Sequence, residues 1–142
     1  MTIKEYLNQA YRLEQRIRLL KDNIEETRAL SGSISSPGFE QHYNPNRPTE
    51  APYVKTLERL MEMQEELDEK LSLLLALKAE LTEVIDGVEN MDERLVLTYR
   101  YLKNYTWSHI GDILCADERT VRRWHSLALA HVIVPENPTV IP

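Results

Sequence analysis

Apolar residues recur along the first part of the chain at alternating steps of three and four. The members of this pattern are Ile3, Tyr6, Ala10, Leu13, Ile17, Leu20 and Ile24. The alternation is typical of a coiled-coil seam rather than of the broader stripe of a globular helix. Thr2 followed by Glu5 has the form of a capping box, so the sequence predicts a first helix from Thr2 to about Ser31-Gly32.

The segment from residue 31 to residue 52 interrupts this regularity. It contains Pro37, Pro45, Pro48 and Pro52 together with two glycines and four serines. Proline fixes φ and removes a backbone donor, so no helix is expected to cross the segment. We predict a linker over residues 31–52 that is either mobile or held against the helices by Phe39, Tyr43 and Tyr53.

A second long helix is predicted from about Tyr53 to Val88. Its heptad positions are Leu57, Leu60, Leu67, Leu71, Leu74, Leu81, Ile85 and Val88. Leu73, Leu75 and Leu77 are interpreted as pointing away from this seam, and a helix that is apolar on several sides needs more than one partner. The expected architecture for residues 1–90 is an antiparallel helical hairpin, a coiled coil that also forms a homo-oligomer, most simply a dimer with a four-helix core.

Three shorter helices are predicted in the remaining chain, which completes an all-α fold. Asn90 with Glu93 repeats the capping-box pattern before MDERLVLTYRYLKNY, in which Leu95, Val96, Tyr99 and Leu102 form the predicted core face. A fourth helix should begin at Thr106 or Trp107 and end near Leu114, and a fifth should follow the tight turn Cys115–Asp117 and run to about Val132, with Asp117 as its N-cap. We assign residues 91–133 to a second domain and residues 134–142 to an extended or disordered tail that could lie in an apolar groove.

The two helices on either side of the turn have helix-turn-helix spacing. Ile110, Leu114, Ala116, Val121 and Trp124 are predicted to fill the space between them, and Gly111 lies where the second helix crosses the first. A wheel with Val121 at the core places Trp124, His125 and Ala128 inward and Arg119, Arg123 and Ser126 outward, with Arg122 on the flank. Arginines in the first half of such a helix can reach phosphates and guanine edges in the major groove of DNA.

The stretch RLVLTYRYLKNYTWSHIGDILCADERTVRRWHSLAL, residues 94–129, resembles region four of bacterial sigma factors, the part that reads the promoter −35 element. The whole plan resembles small regulators encoded by prophages of Firmicutes, of the RinA/ArpU-like type. The resemblance implies sequence-specific binding of double-stranded DNA near a promoter, with RNA polymerase as a second expected partner. Carried over by position, it implies that the DNA-binding residues are Arg119, Thr120, Arg122, Arg123 and Ser126.

Charge is distributed unevenly along the chain. The formal net charge is −6, and residues 53–90 carry four basic and ten acidic side chains, which accounts for the whole deficit. Residues 91–142 carry six of each, so a basic patch there depends on placement rather than on the total. A single cysteine, Cys115, excludes an internal disulfide and, together with the lack of a membrane span or signal segment, predicts a cytoplasmic protein.

No nucleophile–base arrangement or glycine-rich phosphate loop is found, so we expect a protein that is not an enzyme and has no cofactor. Cys115 and His109 both border the turn, but two groups do not make a zinc site, and Cys115 is interpreted as a buried structural thiol. Two alternatives to a DNA-binding regulator remain open. One is a module that docks on RNA polymerase or a phage protein without binding DNA, and the other is a small terminase subunit that takes part in DNA packaging.

Overall fold

A computed structural model describes residues 1–34 and 52–142, and the regular structure in these two ranges is helical throughout. The helices are α1 (Ile3–Ile34), α2 (Pro52–Asp86), α3 (Met91–Leu97), α4 (Trp107–Leu114) and α5 (Glu118–His131), and α3 continues into a π-helical turn, Thr98–Leu102. The predicted all-α class is confirmed over this part of the chain. Most of the predicted linker, including Phe39 and Tyr43, lies outside the described residues.

The helix boundaries lie within a few residues of the predicted ones. The first turn of α1 has the predicted capping box, because the Thr2 amide donates to Glu5 Oε2 at 2.8 Å and the Glu5 amide donates to Thr2 Oγ1 at 3.2 Å. The hydrogen bond to the Thr2 backbone lowers the pKa of Glu5. At its other end α1 continues to Ile34, four residues into the segment 31–52 that was predicted to be non-helical.

The described chain divides into two compact units. The first unit comprises residues 1–14 and 73–142, and the second comprises residues 15–72. In the first unit, the α1 seam residues Tyr6, Ala10 and Leu13 are buried as predicted. In the second unit, the buried apolar residues are Ile17, Leu20, Ile24 and Leu67. The regular spacing of the α1 seam therefore does predict which residues lose contact with solvent.

One part of the α2 prediction is wrong. Leu77 was assigned to a face pointing away from the seam, yet its side chain is completely buried in the first unit. Leu71, assigned to the seam, is 39% exposed, and Leu75 is 74% exposed. The predicted seam positions Leu67, Leu81, Ile85 and Val88 are buried. A straight α-helix has 3.6 residues per turn and drifts away from a strict seven-residue repeat, so Leu77 joins the buried stripe between them while Leu71 does not.

The tail after α5 has no regular secondary structure and is held by side chains of the two long helices. Gln9 Nε2 donates to the Thr139 carbonyl at 2.8 Å, and the Ile141 amide donates to Gln9 Oε1 at 2.8 Å. The Thr139 amide and hydroxyl both donate to the Glu80 carboxylate, which also accepts a 2.8 Å hydrogen bond from the Tyr6 hydroxyl. These polar contacts position the tail against the two helices.

None of the helices in residues 1–34 and 52–142 is both long enough and apolar enough to cross a membrane.

Candidate nucleic-acid interface

The helices α3, α4 and α5 pack around a small apolar cluster. Val96, Ile110 and Val121 are completely buried at its centre. The residues packed against them are Tyr99, Tyr105, Trp107, Leu114, Ala116 and Trp124. All five residues that the sequence predicted to fill the space between α4 and α5 therefore belong to this cluster. Its three central side chains come from three different helices, and this fixes the position of α5 relative to α3 and α4.

The turn between α4 and α5 depends on a close backbone approach. The Ala116 amide donates to the Gly111 carbonyl at 2.9 Å. A Cβ on Gly111 would lie 2.7 Å from the Ala116 carbonyl oxygen, a separation at which atoms overlap, so a residue without a side chain is required here. Cys115 ends α4 in the left-handed conformation, with φ 54° and ψ 44°. Its thiol is exposed, so the interpretation as a buried structural thiol is wrong.

The first turn of each helix at this corner is capped differently. Thr106 precedes α4, and its hydroxyl accepts a 3.2 Å hydrogen bond from the His109 amide. Asp117 occupies the N-cap position of α5 as predicted, but its side chain makes no capping hydrogen bond. Negative charge at a helix N-terminus is nevertheless favourable, because it faces the positive end of the helix dipole.

The predicted DNA-binding residues lie together on the outer side of α5. Arg119, Arg122, Arg123 and Ser126 are exposed and Thr120 is partly exposed. The opposite side of the same helix contains Val121, His125 and Ala128, which are buried. The outward placement of Arg119 and Arg123 and the inward placement of Val121 agree with the prediction from the sequence, and Arg122, predicted on the flank, is also exposed.

Among these residues, Arg122 forms an ion pair with Glu118 and accepts a hydrogen bond from Ser126. Its Nη2 lies 2.9 Å from Glu118 Oε1, one helical turn earlier, and both side chains are at least half exposed. The Ser126 hydroxyl donates to the Arg122 carbonyl at 3.2 Å. An exposed ion pair of this kind contributes at most about 1 kcal/mol and is screened by salt. Arg122 can therefore exchange Glu118 for an external anion at low cost.

The basic residues of α3 and the π-helical turn have internal roles. Arg94 donates twice to the Val88 carbonyl, at 3.0 and 2.8 Å, and so links α3 to the end of α2. Arg100 Nη1 donates to the Tyr105 carbonyl at 3.0 Å, and its guanidinium carbon lies 4.2 Å from the centre of the Trp107 ring. Arg94 is thus a structural residue, whereas Arg100 is held rigidly beside the start of α4.

Two buried aromatic residues, Tyr101 and His125, contact each other at the buried face of α5. The Tyr101 hydroxyl and His125 Nε2 share a hydrogen bond of 2.5 Å, and the His125 ring meets the edge of Trp107 with ring centres 4.6 Å apart. Burial lowers the pKa of His125 to about 4, with smaller effects from the charges of Lys4 and Arg100, and burial raises the pKa of Tyr101 to about 12. Both side chains are therefore neutral near pH 7.

The contact between Tyr101 and His125 was not predicted from the sequence. A regular α-helix from Met91 would have continued the face of Leu95, Val96, Tyr99 and Leu102. The π-helical turn, in which the Lys103 amide donates to the Thr98 carbonyl at 3.1 Å, inserts an extra residue and changes which side chains face inward. Tyr101 becomes 2% exposed as a result. No local sequence signal predicts this turn.

Another long-range pair connects the two ends of the α3–α5 segment. The Glu93 carboxylate is buried and accepts a 2.8 Å contact from His131 Nδ1 at the end of α5. Glu93 was predicted to complete a capping box with Asn90. Only half of that box is present, because the Asn90 side chain accepts from the Glu93 amide at 3.1 Å while the Glu93 carboxylate turns to His131.

Among the described residues there is no group of three or more histidine, cysteine or acidic side chains that could hold a metal ion. His109 and Cys115, the two residues considered for zinc, are both exposed at the turn.

Residues 52–132 match a known protein family. The family model described as "Protein of unknown function (DUF1492)" matches residues 52–132, which is more than half of the chain. The chain belongs to this family. The DUF1492 match runs from the start of α2 through α5, so it includes the apolar cluster, the turn at Cys115 and every predicted DNA-binding residue, and it leaves out α1 and the docked tail. No curated protein and no solved structure matches the chain.

Proposed function

We propose that this DUF1492 protein is a sequence-specific transcriptional regulator of phage or prophage type that binds double-stranded DNA. The observation that carries the proposal is the division of α5 into two faces. Arg119, Arg122 and Arg123 are exposed, while Val121, His125 and Ala128 anchor the opposite face in the core. An arginine-bearing helix fixed in this way is suited to the major groove, where guanidinium groups bind guanine edges and phosphates.

In this proposal α4 and α5 act as a helix-turn-helix. Gly111 and the left-handed Cys115 set the crossing of the two helices, and α5 is the recognition helix. The candidate base-contacting residues are those of its first half, together with Ser126 on the next turn. The Arg122–Glu118 pair holds the guanidinium in place before binding, and phosphate or guanine replaces Glu118 in the complex.

The long helices are proposed to form an antiparallel hairpin and to mediate self-association. Support comes from large apolar side chains that a single chain leaves exposed: Leu19 at 62%, Leu30 at 64%, Met61 at 66% and Leu75 at 74%. A dimer would bury these residues and present two copies of α5, which matches recognition of two half-sites about 34 Å apart. Light scattering tests this, because a dimer supports the regulator and a ring of about eight or more chains favours a packaging protein.

The test of DNA binding begins with in vitro selection of duplexes by the purified protein. The enriched sequence is then titrated by fluorescence anisotropy at stated salt concentrations. We expect the triple substitution Arg119→Ala, Arg122→Ala and Arg123→Ala to weaken binding by about 30-fold or more and to flatten the dependence on salt. A matched control removes three exposed basic residues of α1, namely Arg18, Lys21 and Arg28, and should bind within about threefold of the wild type.

A second candidate is a module that docks on RNA polymerase or a phage protein without binding DNA. The observation that favours it is the exposed acidic cluster of α2, formed by Glu65, Glu66, Asp68 and Glu69. Such a cluster would meet a basic surface of a protein partner and would repel DNA. Recovery of polymerase subunits by the wild type and not by a variant with the four residues neutralised, together with no enriched duplex, would select this candidate.

A further inference from the structure

A cleft formed by α1, the π-helical turn and the start of α4 adjoins the proposed DNA-binding surface. Its volume is about 460 Å³, and it is lined by Asn8, Tyr11, Arg12, Arg100, Asn104 and Thr106. All six residues belong to the first compact unit. The lining contains two guanidinium groups and no carboxylate, in a protein whose net charge is −6. The cleft is therefore locally positive although the protein as a whole is negatively charged.

The positive charge of the cleft is not cancelled by Glu14. Glu14, two residues after Arg12, is already engaged, because Lys78 Nζ lies 2.5 Å from its Oε1 and the Asn104 side-chain amide donates to its Oε2. Glu14 thus holds the loop before α4 against α1 and has its charge balanced by Lys78. The charges of Lys4 and Arg100 also contribute to the lowered pKa of the nearby His125, which is consistent with a positive potential in this region.

The side chain of Arg100 is preorganised for ligand binding. Its Nη1 donates to the Tyr105 carbonyl, and the face of its guanidinium rests on the Trp107 ring. A guanidinium has five N–H donors, and the bond to Tyr105 uses one of them. Because Arg100 is already fixed, a ligand would not have to order this side chain, and less conformational entropy is lost on binding.

Trp107 lies close both to Arg100 of the cleft and to Arg122 of α5. The guanidinium carbon of Arg122 lies 6.0 Å from the Trp107 ring centre, and that of Arg100 lies 4.2 Å from the same centre. The basic surface therefore extends from α5 past Trp107 to Arg100 and on to Arg12 of α1. An extended basic surface of this kind fits the repeating phosphates of a nucleic-acid strand better than a single small anion.

We propose that Arg12 and Arg100 bind a backbone phosphate of the duplex whose major groove receives α5, so that the N-terminal helix is part of the DNA-binding surface. This inference rests on the proposed function. Arginine is the side chain best matched to phosphate, because it presents parallel donors to two phosphate oxygens. The contact would fix the register of the protein on the duplex without reading sequence, since phosphates carry no base identity.

The experiment uses the full-length protein and the duplex found by selection. For Arg12→Ala we expect roughly three- to tenfold weaker binding, an unchanged selected sequence, and a slope of log affinity against log salt that is about 0.9 less steep, as for loss of one phosphate contact. Arg18→Ala, which removes an exposed arginine of α1 that does not line the cleft, should leave the slope unchanged. An Arg12→Ala slope equal to that of the wild type would overturn the proposal.

A scan with single methylphosphonate substitutions locates the contact. Neutralising the phosphate held in the cleft should weaken binding by the wild type more than binding by Arg12→Ala, since the variant has only the Arg100 contact left to lose. If every substitution affects both proteins equally, Arg12 contacts no phosphate and the inference is wrong.

Titration with inorganic phosphate tests anion binding by the cleft independently of DNA binding by α5. Saturable shifts of the Asn8 and Asn104 resonances, combined with DNA affinity that does not depend on Arg12, would show a site for free phosphate and overturn the assignment to the DNA backbone. Should the wild type bind no duplex at all, the proposed function fails together with the DNA assignment, and the phosphate titration then shows whether the cleft is an anion site of another kind.

Discussion

The carbonyl oxygen of Ala116 lies 2.7 Å from the position that a Cβ on Gly111 would occupy. This contact sets the distance between α4 and α5 at their crossing. The obstructing atom belongs to the backbone, so it cannot move aside as a flexible side chain would.

We predict that Gly111→Ala destabilises the protein although alanine favours helices more than glycine does. The added methyl group has to push α5 away from α4, which costs about 1–3 kcal/mol, against a gain of up to about 1 kcal/mol in helix propensity. Chemical denaturation measures the change. Gly87→Ala is the matched control, because its Cβ would lie 3.3 Å from the Val84 carbonyl oxygen and the expected loss is smaller. Equal effects of the two substitutions would contradict the proposed role of Gly111.

Cys115→Gly should have the opposite effect. The residue has φ 54°, a left-handed conformation that costs an L-residue about 1–2 kcal/mol, and glycine avoids this cost while losing somewhat more backbone entropy on folding. The exposed thiol makes no buried contact that glycine would lose. We expect a net gain of about 1 kcal/mol and a melting temperature higher by roughly 3 °C. Cys115→Ala keeps the strain and should show no gain, so calorimetry of both variants separates the backbone effect from removal of the thiol.

The buried His125 predicts a dependence of stability on pH. Its pKa is about 4 in the folded protein against 6.5 in the unfolded chain, so the unfolded chain binds the proton more readily. The contribution is fully present above pH 6.5 and is lost as the pH falls toward 4, by roughly 2–3 kcal/mol in the free energy of unfolding. His125→Gln cannot titrate, so the difference between the two proteins should change over this pH window. A difference that is constant from pH 7 to pH 4 would show that His125 is not protected from protonation.

Docking of the tail should depend on Glu80. Its carboxylate accepts hydrogen bonds from the amide and the hydroxyl of Thr139 and from the hydroxyl of the completely buried Tyr6. Glu80→Ala should loosen residues 139–142, which would keep only their hydrogen bonds to Gln9, and lower stability by about 1–3 kcal/mol, because the Tyr6 hydroxyl loses its partner. Hydrogen exchange at the Thr139 and Ile141 amides should then become at least about tenfold faster.

Glu83→Ala is the control for the tail, since Glu83 is an exposed acidic residue on the same helix. Slow exchange at Thr139 is expected to persist in that variant. If the Glu80 variant also retains slow exchange, the Gln9 hydrogen bonds are sufficient to hold the tail and the prediction is wrong.

Several features could be predicted from the sequence because they depend on neighbours within one or two helical turns. The α1 seam, the Thr2–Glu5 capping box, the ends of α4 and the two faces of α5 are of this kind. Each follows from a repeat of 3.5 or 3.6 residues or from a side chain that caps a nearby amide. The candidate DNA-binding face belongs to this class, since placing Val121 inward determines which arginines of the same helix point outward.

Other features were decided by the tertiary structure. The burial of Leu77, the contact between Tyr101 and His125, the cleft that joins Arg12 to Arg100, and the attachment of Thr139 to Glu80 all join elements that are distant in the chain or depend on the π-helical turn. The two hydrogen-bonded pairs among them, Tyr101 with His125 and Thr139 with Glu80, are separated by 24 and 59 residues. Periodicity and capping act through the geometry of one helix, whereas these contacts require that several helices already have fixed relative positions. The sequence by itself therefore determined the helices and the two faces of α5, and only the packing of those helices decided which residues support that face and extend it.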